Sequence, residues 1–301
     1  MEIPPDVCLL VADWGIGDHY IVASFAEAVR RHYGLRVWMA GRAHLGFLGG
    51  IYPSVERYFE WPTNRDAQHL SSWTIEGGKV FYAHFPKMEL MRAVGFNGFH
   101  FLDAYRCRLG LPASANPTRP RLPTGPEMTA AIDFLRSHGL TPGRTVVCSI
   151  DARTTPTDGV DAGFWTALAN ELRAAGLAVL VNSGPSTAIP AGLVSASIEL
   201  SLFRAVVQAA GGFCSVRSGL SDLACDLRCP QVVVYPDVRY WSGSLLEGTT
   251  FGKFGLTKAP YEVVVRAPEQ ATEIQAIVGF FAARLRPRAL TATGGASVAT
   301  R

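Results

Sequence analysis

Four stretches of the 301-residue chain carry side chains whose type and spacing suit chemistry. The first is Asp13-Trp14-Gly15-Ile16-Gly17-Asp18-His19, which follows the apolar run VCLLVA (7–12). Two glycines let a ligand approach the backbone closely, and a helix that starts here attracts negative charge. Asp18 falls in the first helical turn, where a carboxylate either stabilises the helix dipole or, at the edge of a cleft, takes a proton. Gly17 and His19 flank it on the same side, His19 as a neighbour of the site rather than a ligand. The second stretch is Ser215-Val216-Arg217-Ser218-Gly219-Leu220-Ser221-Asp222, a strand end that opens a helix. Arg217 offers a planar fork of donors for phosphate oxygens, and Ser218 can cap the helix. The amides around Gly219 and Leu220 add an anion-binding element. Together they form a candidate diphosphate cradle without a metal. The alternative is an ordinary serine cap with Arg217 paired to a carboxylate. Asp222 is either a second cap carboxylate or a ligand to a sugar hydroxyl.

Two more strand-end loops point the same way. In Ser149-Ile150-Asp151-Ala152-Arg153-Thr154-Thr155, Arg153 can face the same cleft as Arg217, or the loop is simply solvated. In Asn182-Ser183-Gly184-Pro185, Asn182 and Ser183 could hold a base or a ribose. Tyr235-Pro236-Asp237 ends a later strand on the same side.

Other chemistries lack their residues. A dinucleotide fingerprint needs a third glycine where Tyr20 stands, and an acidic residue after a second strand that ends Met39-Ala40-Gly41. There is no GxSxG elbow, HExxH or Walker A sequence, and paired glycosidase carboxylates cannot be picked out by spacing. The six cysteines form no CxxC pair, and Cys225 and Cys229 have no histidine at ligand spacing, so neither zinc nor another metal is expected. With 28 basic and 25 acidic residues the net charge is +3, too balanced for a dedicated nucleic-acid protein. No apolar run reaches the ~18 residues of a membrane-spanning helix. MEIPPDVCLLVADWG is not the pattern of a signal peptide. The reduced cytoplasm is the expected compartment, with peripheral membrane contact left open.

The elements that would position these residues alternate short apolar runs with amphipathic ones. Strands are expected at 7–12, 35–41 and 79–85, with helices over 19–34 and 100–111. Gly34 fits a helix C-cap. GLPASANPTRPRLPTGP (110–126) reads as the best linker in the chain. Beyond it come helices at 127–139, 164–176, 200–211, 220–227 and 268–286, and strands at 145–150, 178–183, 213–216 and 231–236. Such βα grammar builds parallel sheets covered by helices. The expectation is an α/β protein of two Rossmann-like, doubly wound domains facing across a cleft: 1–115, a linker at 116–126, and 127–286. Residues 287–301 are expected to be a disordered tail.

The order and content of these pieces resemble the GT-B glycosyltransferases, in particular the heptosyltransferase family (glycosyltransferase family 9) and its relatives. The similar segments are GIGDHYIVASFAEAVRRHYG, HFLDAYRCRLGLP, VVCSIDARTTP with FWTALANELRAAGLAVLVNSG, and FCSVRSGLSDLACDLRCPQVVVYP. They span roughly residues 7–240 by order and spacing rather than by strong identity. One departure stands out: the family's Asp-Thr-Gly turn, followed by a histidine, is here Arg217-Ser218-Gly219 followed by Asp222. That arginine looks closer to the phosphate-binding arginine of relatives that use GDP-fucose, which leaves the donor sugar open.

The resemblance implies a metal-independent, inverting transfer of a sugar from a nucleotide-diphosphate donor to a hydroxyl acceptor. The acceptor would be a glycan, a lipid-linked glycan or a natural product, and no cofactor is needed. In that reading Asp18 is the catalytic base on the acceptor-side domain. Arg153, Asn182, Ser183, Arg217, Ser218, Gly219, Leu220 and Asp222 would form the donor site. Two other classes stay in view: a non-catalytic sugar-nucleotide or glycan-binding protein on the same fold, and a nicotinamide-dependent oxidoreductase.

Overall fold

The apolar runs of each half become two mostly parallel sheets in the computed structural model. It describes residues 3–12, 15–61, 72–75, 78–82, 100–152, 159–184, 189, 192–237, 239–240, 243–256, 260–266 and 269–285. In the first sheet β1 (Val7–Val11) is buried along its whole length. A strand covered on both faces has no polar face to keep, so it reads as an unbroken apolar run. β2 (Arg36–Gly41) lies on one side of β1 and β5 (Gly78–Tyr82) on the other, with β3 (Arg57–Glu60) and β4 (Ser72–Ile75) at the edges. Leu9 stands opposite Trp38 and Val80. All pairs are parallel except β4 with β5.

The helix expected over 19–34 is two helices. α1 (Ile16–Ser24) and α2 (Ala26–Tyr33) meet at Phe25, whose backbone sits at φ −88° and ψ −3°. The cause lies far away in sequence. The amide and hydroxyl of Thr118 both donate to the Ser24 carbonyl, at 2.7 and 2.9 Å. The Ser24 hydroxyl bonds back to the Ile21 carbonyl at 2.7 Å, a contact that bends helices. The helix ladder is thus diverted at Ser24, and the linker is pinned to the first half. Gly34 ends α2 in the left-handed region at φ +68°, as its position suggested. Two further helices among the described residues of this half are α3 (Phe47–Ile51) and α4 (Phe101–Arg108).

The second half begins with α5 (Gly125–Ser137) and holds a six-stranded, wholly parallel sheet. Its strands are β6 (Thr145–Ser149), β7 (Ala178–Asn182), β8 (Val194–Ala196), β9 (Gly211–Val216), β10 (Gln231–Pro236) and β13 (Tyr261–Val265). β11 (Arg239–Tyr240) and β12 (Gly243–Ser244) form a separate antiparallel pair. The large sheet runs β8-β7-β6-β9-β10-β13, so the strand order reverses between β6 and β9. Open α/β sheets bind ligands outside the carboxyl ends of their strands at such a reversal. Ser149 and Ser215, which are register partners, mark those ends. Helices α6 (Ala162–Ala174), α7 (Leu200–Ala210), α8 (Gly219–Ala224), α9 (Leu245–Thr249) and α10 (Gln270–Arg284) flank the sheet, α6 capped by Asp161, which accepts from the Phe164 amide at 3.0 Å.

One apolar cluster crosses from half to half. It contains Leu10, Ile21 and Phe25 of the first, Phe101 and Tyr105 of α4, and Phe213, Tyr235 and Phe254 of the second. A buried polar network crosses as well: Arg204 holds both oxygens of Asp226, at 2.5 and 2.9 Å, and the Tyr20 hydroxyl donates to the same carboxylate at 3.1 Å. Where the sequence suggested facing surfaces around a cleft, the structure shows a packed contact along this line. Cys8, Cys148 and Cys214 are buried in strands, where the thiol acts as a small apolar group. The tail 287–301 and the loop holding Arg153 lie outside the described residues.

Candidate active site

The turn after β1 and the turn after β9 meet. α1 and α8 start side by side, and their first residues touch through glycines. A side-chain carbon on Gly219 would stand 2.6 Å from the Gly17 nitrogen and 2.5 Å from the Ile16 methyl. One on Gly17 would stand 2.4 Å from Asp222 Oδ2 and 3.0 Å from the Gly219 Cα. Neither glycine needs an unusual backbone angle; both are required by close approach. Gly219→Ala is therefore expected to force the two helix starts apart and cost about 1–3 kcal/mol, the range of core overpacking. Chemical denaturation measures this, and an unchanged midpoint would show that the contact gives way.

Asp18 projects from the first turn of α1 at this seam and is half-buried. Its Oδ2 accepts from the Gly15 amide at 3.1 Å, and its Oδ1 accepts from the Tyr105 hydroxyl of α4. The cap reading is thus correct as far as it goes, and a second contact was added that the sequence did not suggest. One bond to each oxygen orients the carboxylate.

His19 is fully buried and bonded at both ring nitrogens. Nδ1 bonds the Gly15 carbonyl at 2.9 Å and must carry the proton, because Nε2 accepts from the Arg42 amide at 3.3 Å. This corrects the expectation of an acceptor-side neighbour: His19 locks the turn. Gly41 leaves room for it, since a side chain there would meet the imidazole at 2.3 Å.

The second turn needs a larger correction. Arg217 is 5% exposed and its donors are committed. Nε donates to the Thr249 carbonyl at 3.3 Å, and Nη1 to the Ser218 carbonyl at 3.0 Å and the Ser221 hydroxyl at 3.2 Å. Nη2 pairs with Asp222 at 2.8 Å. The guanidinium lies between Phe101 and Phe251, 5.2 and 4.6 Å from their ring centres. Burial opposes its charge most strongly, yet Asp222, Tyr235 and Cys225 together raise its pKa above the ordinary value. Arg217 is therefore engaged within the second half, with the Phe101 ring of α4 against its guanidinium, and is not an open fork for phosphate. Asp222 is its partner, so the carboxylate-paired alternative holds. The Cα of Gly219 is pressed against Ile16 and Gly17, and Leu220 packs against the shared core.

Other donor-side expectations have mixed outcomes. Ser218 starts α8 as expected, but the cap runs the other way: its amide donates to the Ser221 hydroxyl at 2.9 Å. The Ser218 and Ser215 hydroxyls are buried with no hydrogen-bond partner among the described residues. Both lie at the carboxyl end of β9, beside the strand-order reversal. Asn182 accepts from the Ile198 amide at 3.1 Å, which closes the end of β7, and Ser183 is half-buried beside it. Among the described residues no three His, Cys, Asp or Glu side chains come together as a metal-ligand set, and no helix is long and apolar enough to cross a membrane.

His100 also escaped the sequence reading. It precedes α4 and is 2% exposed; Nε2 donates to the Thr250 carbonyl at 2.9 Å and Nδ1 accepts from the Leu102 amide at 3.2 Å. Burial foremost pushes its pKa down to about 3, helped by Lys253 and Arg217. The unfolded value is near 6.5, so the unfolded chain binds the extra proton between those limits. Stability from this group is whole above about pH 6.5 and is lost as pH falls toward 3, with a slope of up to ~1.4 kcal/mol per pH unit. Denaturation midpoints from pH 7 to 5 should fall, and His100→Asn should flatten that fall. Equal slopes would contradict the assignment.

No protein-family model matches the chain, and no curated protein does. Solved structures do. A glycosyl transferase family 9 protein from Veillonella parvula is 13% identical, with 92% of this chain and 90% of that chain covered and a TM-score of 0.59. The E. coli ADP-heptose lps heptosyltransferase II is 11% identical, with 93% and 98% covered and a TM-score of 0.58. E. coli heptosyltransferase WaaC, solved with ADP, is 12% identical, with 91% and 99% covered and a TM-score of 0.52. At these identities the likeness is one of fold, and it extends over nearly the whole of each chain.

Proposed function

We propose that this chain is a glycosyltransferase that moves a sugar from a nucleotide-diphosphate donor to a hydroxyl acceptor, with inversion at the anomeric carbon. The observation that carries the reading is the place of Asp18: a half-buried, oriented carboxylate on the first turn after β1, next to the start of α8, on a fold shared with heptosyltransferases. The acceptor oxygen attacks the anomeric carbon while its proton passes to Asp18. The bond from that carbon to the donor's phosphate oxygen breaks, and the electron pair leaves with the nucleoside diphosphate. A positioned base of this kind contributes ~10²–10⁴-fold.

The donor is assigned to the second half, outside the carboxyl ends of β6, β7 and β9. Ser218 stands at the start of α8 on that side of the sheet. Asn182 and Ser183 sit at the next strand end, and Arg153 is retained as the cation for the leaving diphosphate. Preorganised donors stabilise that charge as it develops. Arg217 and Asp222 serve by bracing the start of α8. The test is incubation with a panel of nucleoside-diphosphate sugars and hydroxyl acceptors, reading nucleoside diphosphate release and the anomeric configuration of the product. Inverted product from one donor supports the proposal. Saturable donor binding without transfer supports a sugar-nucleotide-binding protein instead.

A further inference from the structure

We propose that Tyr105 is the positioning residue for Asp18, its phenol holding one carboxylate oxygen while the Gly15 amide holds the other. This deepens the reading of Asp18 as the base and rests on it. Tyr105 lies on the buried side of α4 with Phe101 and Leu102, and is 2% exposed. A phenol buried so deeply requires a hydrogen-bond partner. The partner is Asp18, 87 residues earlier in the chain. With Gly15 donating to Oδ2 at 3.1 Å and Tyr105 donating to Oδ1, the carboxylate is held at both ends and its plane is fixed. A fixed carboxylate presents its remaining lone pairs in one direction, which is what in-line proton transfer requires.

The contact also sets basicity. A hydrogen bond donated to the ionised form lowers a carboxyl pKa. Burial, with the charges of Asp18 and Asp222, pushes the Tyr105 phenol well above its ordinary range, while Arg217 acts the other way. The phenol therefore stays protonated and remains a donor. Among the described residues, Tyr105 from α4 bonds Asp18, and Asp222 and Arg217 from the second half act on that phenol. His19 on α1 is engaged by Gly15 and Arg42. The ring itself is seated edge-on against Phe101, centroids 6.2 Å apart, so Tyr105→Phe removes the hydroxyl and keeps the packing.

The experiment is a carbon-13 NMR titration of the Asp18 carboxyl, its signal identified by loss in Asp18→Asn, run on the wild type and on Tyr105→Phe. The Asp18 midpoint is expected to rise by about one pH unit in Tyr105→Phe, because a bond to the charged form is lost. The acid limb of kcat/KM should move up with it. At neutral pH kcat should fall about tenfold and donor KM should stay within about twofold, as when orientation of a general base is lost. Replacing Tyr105 with 3-fluorotyrosine, a more acidic phenol and a stronger donor, should lower the midpoint, and it gives a reading even where Tyr105→Phe does not fold. An unmoved midpoint in either substitution overturns the proposal. A moved midpoint together with full transfer by Asp18→Asn leaves Tyr105 as the holder of the carboxylate and overturns the role of Asp18 as base.

Discussion

Arg217→Met should destabilise the protein by about 3–5 kcal/mol, the cost of leaving one member of a buried ion pair without its partner. Asp222 would remain 4% exposed and against Gly17, with the Arg217 counter-charge gone. The loss should shrink at low pH, because an unpaired buried carboxyl takes up a proton more readily and the folded state then gains relative to the unfolded one. The double variant Arg217→Met with Asp222→Leu should recover most of the stability, since replacing a whole buried pair with apolar groups is often close to neutral. Urea denaturation of the four proteins in the cycle measures the coupling. If Arg217 were instead a phosphate ligand, the single substitution would leave the midpoint nearly unchanged and weaken nucleotide binding.

Asp18→Asn should lower the transfer rate by ~10²–10⁴-fold while leaving the fold in place. The amide has the same shape: its oxygen can still accept from the Gly15 amide, while its NH2 can donate to the Tyr105 oxygen in place of accepting from it. What is lost is the ability to receive a proton as the acceptor oxygen attacks. The effect belongs in kcat and kcat/KM together, because the interaction forms only in the transition state. Full retention of rate would reduce Asp18 to the helix-cap role that its bond to Gly15 already gives it.

Much of the scaffold was readable because the responsible forces are local. VCLLV, TVVCS and QVVVYP are unbroken apolar runs because each is a fully buried central strand, and their bounds agree with expectation to within a residue. Gly34 announced the end of α2 by its backbone freedom. The break at Phe25 was not readable, because Thr118 causes it from 94 positions away. β8 is three residues long, too short for a periodic signal, whereas the β-branched run YEVVV of β13 does carry one. At the site, residue types were legible and their directions were not. Arg217 reads equally well as a phosphate fork or as a paired cation until a carboxylate five residues on is seen to reach it. Tyr105 sits on an apolar stripe, and the buried phenol's need for a partner was the available signal; which partner depended on how the chain returns to α1.

The central claim is a division of labour, with the nucleotide held by the second half and the base supplied by the first. Melting temperatures with UDP, GDP, ADP, CMP and dTDP, measured on the wild type and on Asp18→Asn, test it most directly. One nucleotide should stabilise both proteins equally, by ~2.7 kcal/mol at a hundredfold excess over Kd. A shift in neither protein, or a shift that disappears with the Asp18 carboxylate, would contradict the account.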